Sequence, residues 1–156
     1  MWTARAYEPV DRPQLASFRC AGPHYAKYTK RVQSLVRHQL ADALEDDSRR
    51  VEARVAILTS DHTTLIGVVA YEPAQDDPAV WAILALGVAS NYRRNGVGRG
   101  LFTVALERLV DAGAASAAFE IHRRNDAMIG LAAEFHAVLV PHPQDTDYFF
   151  GSILLI

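Results

Sequence analysis

Between residues 51 and 88 the chain carries three apolar segments separated by connections of under ten residues. In the first, Val51, Ala53, Val55 and Ile57 alternate with Glu52 and Arg54. The turn SDHTT follows, then LIGVVAY at 65–71, the turn EPAQDDP, and VWAILALGV at 80–88. Period-two alternation and unbroken apolar runs of this length are strand signals, and connections this short restrict successive strands to an antiparallel meander. The pattern then changes. Val97, Leu101, Val104, Ala105, Leu109 and Val110 recur at helical spacing, and Gly113 follows as a natural C-terminal cap. Residues 116–122 (SAAFEIH) read as a strand, 126–137 as a helix and 147–156 as a final strand element. A strand–helix–strand unit requires a parallel pair with a crossover, so the sheet must be mixed and the class α+β, an α/β mixed sheet.

Upstream, residues 3–9 fit a short first strand, and Pro13 stands where a helix can begin. Residues 24–46 read as a helix with Val32, Leu35, Val36, Leu40 and Leu44 on one side, and 45–50 (EDDSRR) as a polar connection. The chain has 156 residues, which fits one domain over 1–156 without a disulfide or metal staple. Its single cysteine, Cys20, excludes an internal disulfide and a Cys-rich zinc site, and no metal is expected. Sixteen Lys and Arg against 18 Asp and Glu leave no electrostatic footprint for non-specific nucleic-acid binding, although nine of the 16 basic residues fall within 1–50. Neither a signal peptide nor a membrane span is recognisable, so a cytoplasmic protein that does not engage membranes is expected.

The segment most informative about function is Asn91-Tyr92-Arg93-Arg94-Asn95-Gly96-Val97-Gly98-Arg99-Gly100-Leu101, between an apolar strand and an amphipathic helix. Glycines admit positive φ and close approach of a ligand to the backbone. Successive N–H groups at a helix start form an anion nest reinforced by the helix dipole, and Arg93, Arg94 and Arg99 add charge. The expectation is a phosphate or pyrophosphate site. A dinucleotide fingerprint fits poorly, because Leu101 stands where its third glycine belongs. A phosphate-binding P-loop fits no better, because no Gly-Lys-Ser/Thr follows.

Arg93-x-x-Gly96-x-Gly98 after Leu86-Gly87-Val88, followed by Phe119-Glu120-Ile121-His122-Arg123-Arg124-Asn125, resembles the acyl-CoA-binding signature of the GNAT superfamily of N-acetyltransferases. The likeness is specific over residues 80–131. It implies a central mixed sheet of six to seven strands flanked by about four helices, with acetyl-CoA as co-substrate. It also implies a fourth strand that bulges near Leu86-Gly87-Val88 and splays from the fifth. The amide-rich pantetheine arm would pair with the splayed strand, and the N–H of Val88 would face the thioester carbonyl. The turn formed by Arg94, Asn95, Gly96, Val97, Gly98 and Arg99 would cradle the pyrophosphate, and Asn125 would bond the pantetheine or cap the following helix.

A lysine-like amine has a pKa near 10.4, so only about 1 in 2,500 molecules is neutral at pH 7, and neutralising it costs about 4.6 kcal/mol. A general base is therefore useful. Glu120 is the first candidate and His122, beside it by strand alternation, the second; Glu72 and Tyr148 are further polar groups. The family's usual tyrosine general acid is replaced by Ala132, and the aromatic-glycine ending of the next helix is replaced by Glu134-Phe135-His136-Ala137. The resemblance thus implies direct acyl transfer to the primary amine of a small molecule or peptide. Ala132 leaves open a catalytically degenerate acyl-CoA-binding sensor or interaction module. Phe18-Arg19-Cys20-Ala21, similar to a short motif of toxin-like members, leaves open a tRNA-directed acetyltransferase, with Lys27, Lys30, Arg31 and Arg37 as its basic face. A homodimer paired through residues 148–156 is a further arrangement left open.

Overall fold

The computed structural model describes residues 1–21 and 27–156. Seven strands, β1 (Trp2–Ala6), β2 (Glu52–Leu58), β3 (Leu65–Pro73), β4 (Val80–Val88), β5 (Ser116–His122), β6 (Val138–Pro141) and β7 (Tyr148–Leu154), form one sheet in the order β1-β2-β3-β4-β5-β7-β6. Helices α1 (Arg12–Ala16), α2 (Lys27–Leu35), α3 (Ala41–Leu44), α4 (Val97–Asp111) and α5 (Asp126–Glu134) complete the chain. β4 pairs parallel with β5 from Val80↔Ser116 to Ala82↔Ala118, whereas β1–β2, β2–β3, β5–β7 and β6–β7 are antiparallel. The mixed sheet expected from the strand–helix–strand pattern is therefore present, and β4 and β5 have the bounds expected from sequence. None of the described helices is long and apolar enough to cross a membrane.

Two compact units can be distinguished, Met1–Glu72 with Leu84–Ala105, and Pro73–Ile83 with Leu106–Ile156. In the first, Leu15, Phe18, Val36 and Leu40 join Val55, Ile57, Leu65 and Val68 in a buried apolar cluster. The helix expected over 24–46 appears as α2, a π-helical turn over Val36–Leu40, and α3; residues 24–26 of that expectation lie outside the described residues. The turn has a reason in the sequence. Val32, Val36, Leu40 and Leu44 repeat every four residues, which outruns an α-helix by roughly 40° per repeat. One wider i→i+5 turn returns the row to the core, where Val36 and Leu40 are fully buried. The first strand is shorter than the expected 3–9, because a 3₁₀ turn begins at Pro9. That turn carries Asp11, the buried charged residue of this unit, paired with Arg5 through two 2.7 Å hydrogen bonds. Burial alone would raise the Asp11 carboxyl, but the bonds from Arg5 and from the Glu8 N–H hold it below the usual carboxylate value. The pair thus contributes stability above about pH 4 that is lost as acid protonates it.

In the second unit β5 buries Ala117, Phe119 and Ile121 on one face and turns Ala118, Glu120 and His122 to the other. β7 is hydrogen-bonded to β5 on one side and to β6 on the other. The edge strand is consequently β6, a four-residue element not anticipated from sequence. Its Val138 and Val140 are exposed, so it lacks the apolar signal of a core strand. β7 has a strand on each side, so the pairing across a dimer expected through residues 148–156 would not use a free edge of β7.

Helices α4 and α5 end in the same hydrogen-bonded motif. After α4, Ala114 N–H donates to Leu109 O and Gly113 N–H to Val110 O, with Gly113 at φ 84°. After α5, Ala137 N–H donates to Ala132 O and His136 N–H to Ala133 O, with His136 at φ 60°. The left-handed position that glycine fills without strain in the first case is occupied by histidine in the second. His136→Gly is expected to stabilise the protein by about 0.5–1 kcal/mol, a rise of roughly 1–4 °C in a thermal melt; an unchanged or lower Tm would contradict the strain.

Candidate active site

The Gly-rich segment is a strained strand-to-helix turn in the first unit. β4 ends at Val88, a short 3₁₀ turn covers Ser90–Tyr92, and Arg93 is extended. Arg94 then takes φ 67° and Gly96 φ 75°. Left-handed residues at alternate positions rotate successive N–H groups toward one side, the geometry of an anion nest. α4 starts at Val97, and its first ladder bond runs from Gly100 N–H to Gly96 O at 3.0 Å. The N–H groups of Val97, Gly98 and Arg99 thus precede the ladder, at the positive end of a 15-residue helix. A Cβ at Gly96 would meet nothing within 4 Å, and one at Gly98 only Val88 Cγ2 at 3.6 Å. Neither glycine position is crowded by a neighbouring side chain. Gly87 is fixed by packing rather than by φ: a Cβ there would lie 3.0 Å from the Phe18 ring.

Arg93, Arg94 and Arg99 are all exposed beside the turn. The Arg93 guanidinium in addition donates to the Cys20 carbonyl at 2.6 Å, bracing the 18–21 loop against the turn. That loop is also held by Gln33, whose Oε1 accepts from the N–H groups of Cys20 and Ala21, and by Arg37, whose Nε donates to Phe18 O. Cys20 is buried, and its thiol is pushed up by that burial against the lowering effect of Arg93 and Arg37, as befits a core residue rather than a nucleophile. A cavity of about 190 Å³ in this unit is lined by Phe18, Arg19, Leu65, Ala89, Ser90 and Asn91 among others.

In the second unit the strand-following segment brings Glu120, His122 and Asn125 to one end of β5. Asn125 caps α5, its Oδ1 accepting from Met128 N–H at 3.2 Å, which leaves its amide NH₂ for another acceptor. The His122 Nδ1 accepts the Arg124 N–H at 3.1 Å, so the neutral ring carries its proton on Nε2. The same ring meets Tyr148 edge to face, with centroids 5.1 Å apart. A cavity of about 460 Å³ opens among His122, Arg123, Arg124 and Asp147. Glu120 is half exposed, and its Oε1 lies 2.8 Å from Nε2 of His142. His142 was not singled out by any motif; it follows β6 directly and reaches Glu120 only through the β5–β7–β6 pairing. Glu72, another sequence candidate, is engaged by Arg49 at 2.8 Å in the first unit. Ala132, where the family tyrosine is expected, is fully buried. Among the described residues no three His, Cys, Asp or Glu side chains gather as a metal site would require.

A family model described as Acetyltransferase (GNAT) family matches residues 23–137. No curated protein matches the sequence significantly. Among solved structures, the PaiA N-acetyltransferase from Thermoplasma acidophilum, in complex with coenzyme A, superposes with a TM-score of 0.75 at 15% identity, covering 99% of both chains. A ribosomal-protein-alanine N-acetyltransferase from Brucella melitensis gives 0.72 at 19% identity, over 98% of this chain and 99% of that one. The ribosomal-protein-S18-alanine N-acetyltransferase from Escherichia coli gives 0.67 at 15%, over 99% and 94%. At such identities the likeness establishes a shared fold, the one expected from the resemblance at the glycine-rich turn.

Proposed function

Because the chain belongs to the acetyltransferase (GNAT) family, we propose that it transfers an acetyl group from acetyl-CoA to the primary amine of a small molecule or peptide, by direct attack with both substrates bound. In this reading residues 1–156 act as a single domain, working in the cytoplasm. The observation that carries the proposal is the turn itself: positive φ at Arg94 and Gly96, pre-ladder N–H groups at Val97–Arg99, and open space at Gly96 and Gly98. An anion with two adjacent phosphates fits that arrangement better than a bare turn explains it.

The chain's own groups then have distinct tasks. Arg94, Asn95, Gly96, Val97, Gly98 and Arg99 hold the pyrophosphate, and Arg93 stiffens the turn from behind while adding charge. Leu86, Gly87 and Val88 present the end of β4 to the pantetheine arm, with the Val88 N–H toward the carbonyl to be attacked. Asn125, whose amide NH₂ is left over from the helix cap, is the candidate donor to a pantetheine carbonyl. Acetyl-CoA, when bound, supplies an activated thioester. Glu120 accepts the proton that the acceptor ammonium must lose before its nitrogen can attack, and the neutral His122 ring carries its proton on Nε2 beside it. With a buried alanine at position 132, that position supplies no acid to protonate the departing sulfur. A thiol of pKa about 8.5 leaves tolerably as thiolate near neutral pH, so transfer is slowed rather than prevented.

Calorimetry with acetyl-CoA, paired with thiol release against spermidine, lysine methyl ester and an alanine-terminated peptide, tests the proposal. Binding together with amine-dependent thiol release is expected. Absence of binding at millimolar ligand would end the assignment. Binding without release across the panel would favour the second reading, an acyl-CoA sensor, for which the buried Ala132 is the specific observation.

A further inference from the structure

The turn between β6 and β7 is organised around one imidazole. His142 Nδ1 accepts two backbone N–H groups, from Gln144 at 3.0 Å and from Asp145 at 3.1 Å. A ring nitrogen that accepts carries no proton, so the neutral ring must bear its hydrogen on Nε2. That Nε2 lies 2.8 Å from Glu120 Oε1 and therefore donates to the carboxylate. The His142 side chain is only 12% exposed, whereas that of Glu120 is 50% exposed. The well-held partner is thus the histidine, and the group with freedom to wander is the carboxylate. Further bonds fix the turn that carries the ring: His142 N–H to Tyr148 O, Tyr148 N–H to Asp145 O, and Asp147 N–H to Asp145 Oδ1. Cross-strand register places Glu120 opposite Phe150, and Phe150 opposite Val140, two residues before His142.

We propose that His142 is the positioning residue for Glu120: its Nε2–H pins one carboxylate oxygen, while the two backbone bonds to Nδ1 fix the ring's tautomer and direction. The other carboxylate oxygen is thereby left for the acceptor amine. This inference rests on Glu120 acting as the base, but the hydrogen-bond relay itself does not depend on any substrate. An exposed glutamate alone samples many rotamers, and each unproductive one lowers the fraction of encounters in which the proton has somewhere to go. A second-sphere donor removes that freedom without touching substrate.

The two roles of the ring can be separated by substitution. Asparagine places an amide oxygen near the Nδ1 position and can keep the Gln144 and Asp145 N–H groups, but it cannot reach Glu120. Glutamine places an amide nitrogen near the Nε2 position and can keep the bond to Glu120. His142→Asn is expected to melt close to the parent yet lose about tenfold in kcat toward the best amine of the panel, with KM and acetyl-CoA affinity unchanged. His142→Gln should recover most of that kcat. Equal loss of kcat in both variants would overturn the proposal. A readout free of turnover accompanies this: two-bond ¹H–¹⁵N spectra should show His142 as the Nε2–H tautomer, with an Nε2 proton whose exchange accelerates in Glu120→Ala. An Nδ1–H tautomer, or exchange indifferent to Glu120, would also overturn it. If no amine in the panel is consumed, the transfer reading fails by itself, and the spectra still decide whether His142 holds Glu120.

Discussion

Gly98→Asp is expected to weaken acetyl-CoA binding by about 100-fold or more while leaving the melting temperature unchanged or slightly raised. The two halves of that result come from the same position. Gly98 is the second residue of α4, where a carboxylate is favourable to the helix dipole and where glycine costs helix stability. The space exists, since a Cβ would touch only Val88 Cγ2 at an ordinary 3.6 Å. A carboxylate there, however, would sit where we propose that the pyrophosphate binds. Like charges about 4 Å apart repel by up to ~4 kcal/mol at the effective dielectric of a protein surface, more than the ~2.7 kcal/mol that corresponds to 100-fold. Calorimetry and a thermal melt on the same preparation measure both halves. Affinity within threefold of the parent would mean that the phosphates do not lie on this turn; a collapsed Tm would mean that Gly98 serves packing instead.

The second large effect is expected at Glu120. Glu120→Gln keeps the shape of the side chain and can still accept from His142, but it cannot take a proton. At pH 7 kcat should fall by about 10²-fold, within the usual range for loss of a general base, with acetyl-CoA affinity intact. The difference should narrow as pH rises, because each unit exposes about tenfold more neutral amine and the base is needed less. A pH series of kcat/KM on both proteins measures this. Turnover unchanged at pH 7 would remove Glu120 from the mechanism and, with it, the reason for His142 to hold it.

The candidate site was legible in the sequence wherever its parts are contiguous. The turn from Asn91 to Leu101 declares itself because glycine spacing, arginines and the following helical period lie in one run. Asn125 was equally accessible as a helix cap, five residues after Glu120 on the same strand-to-helix segment. Arg93 shows what such reading leaves out. Its charge placed it among the cofactor groups; that its guanidinium also donates to the carbonyl of Cys20, 73 residues away, is set by the fold. His142 shows the limit more plainly. Residues 141–148 contain no motif, and β6 is too short and too exposed to read as a strand. No local signal could connect residue 142 to residue 120.

Local rules, then, were enough for the class of sheet, for most of its elements and for the glycine-rich turn before α4. Period-two and period-3.6 patterns, helix caps and glycine φ preferences all act over a few residues, and the chain states them directly. What only the folded sheet decided is which distant groups share a face. Placing β7 between β5 and β6 is a long-range pairing, and it is that pairing which sets an imidazole, its tautomer fixed by its own turn, against a half-exposed carboxylate. Proton chemistry depends on ångström distances between side chains remote in sequence, and such distances exist only once the strands are in register.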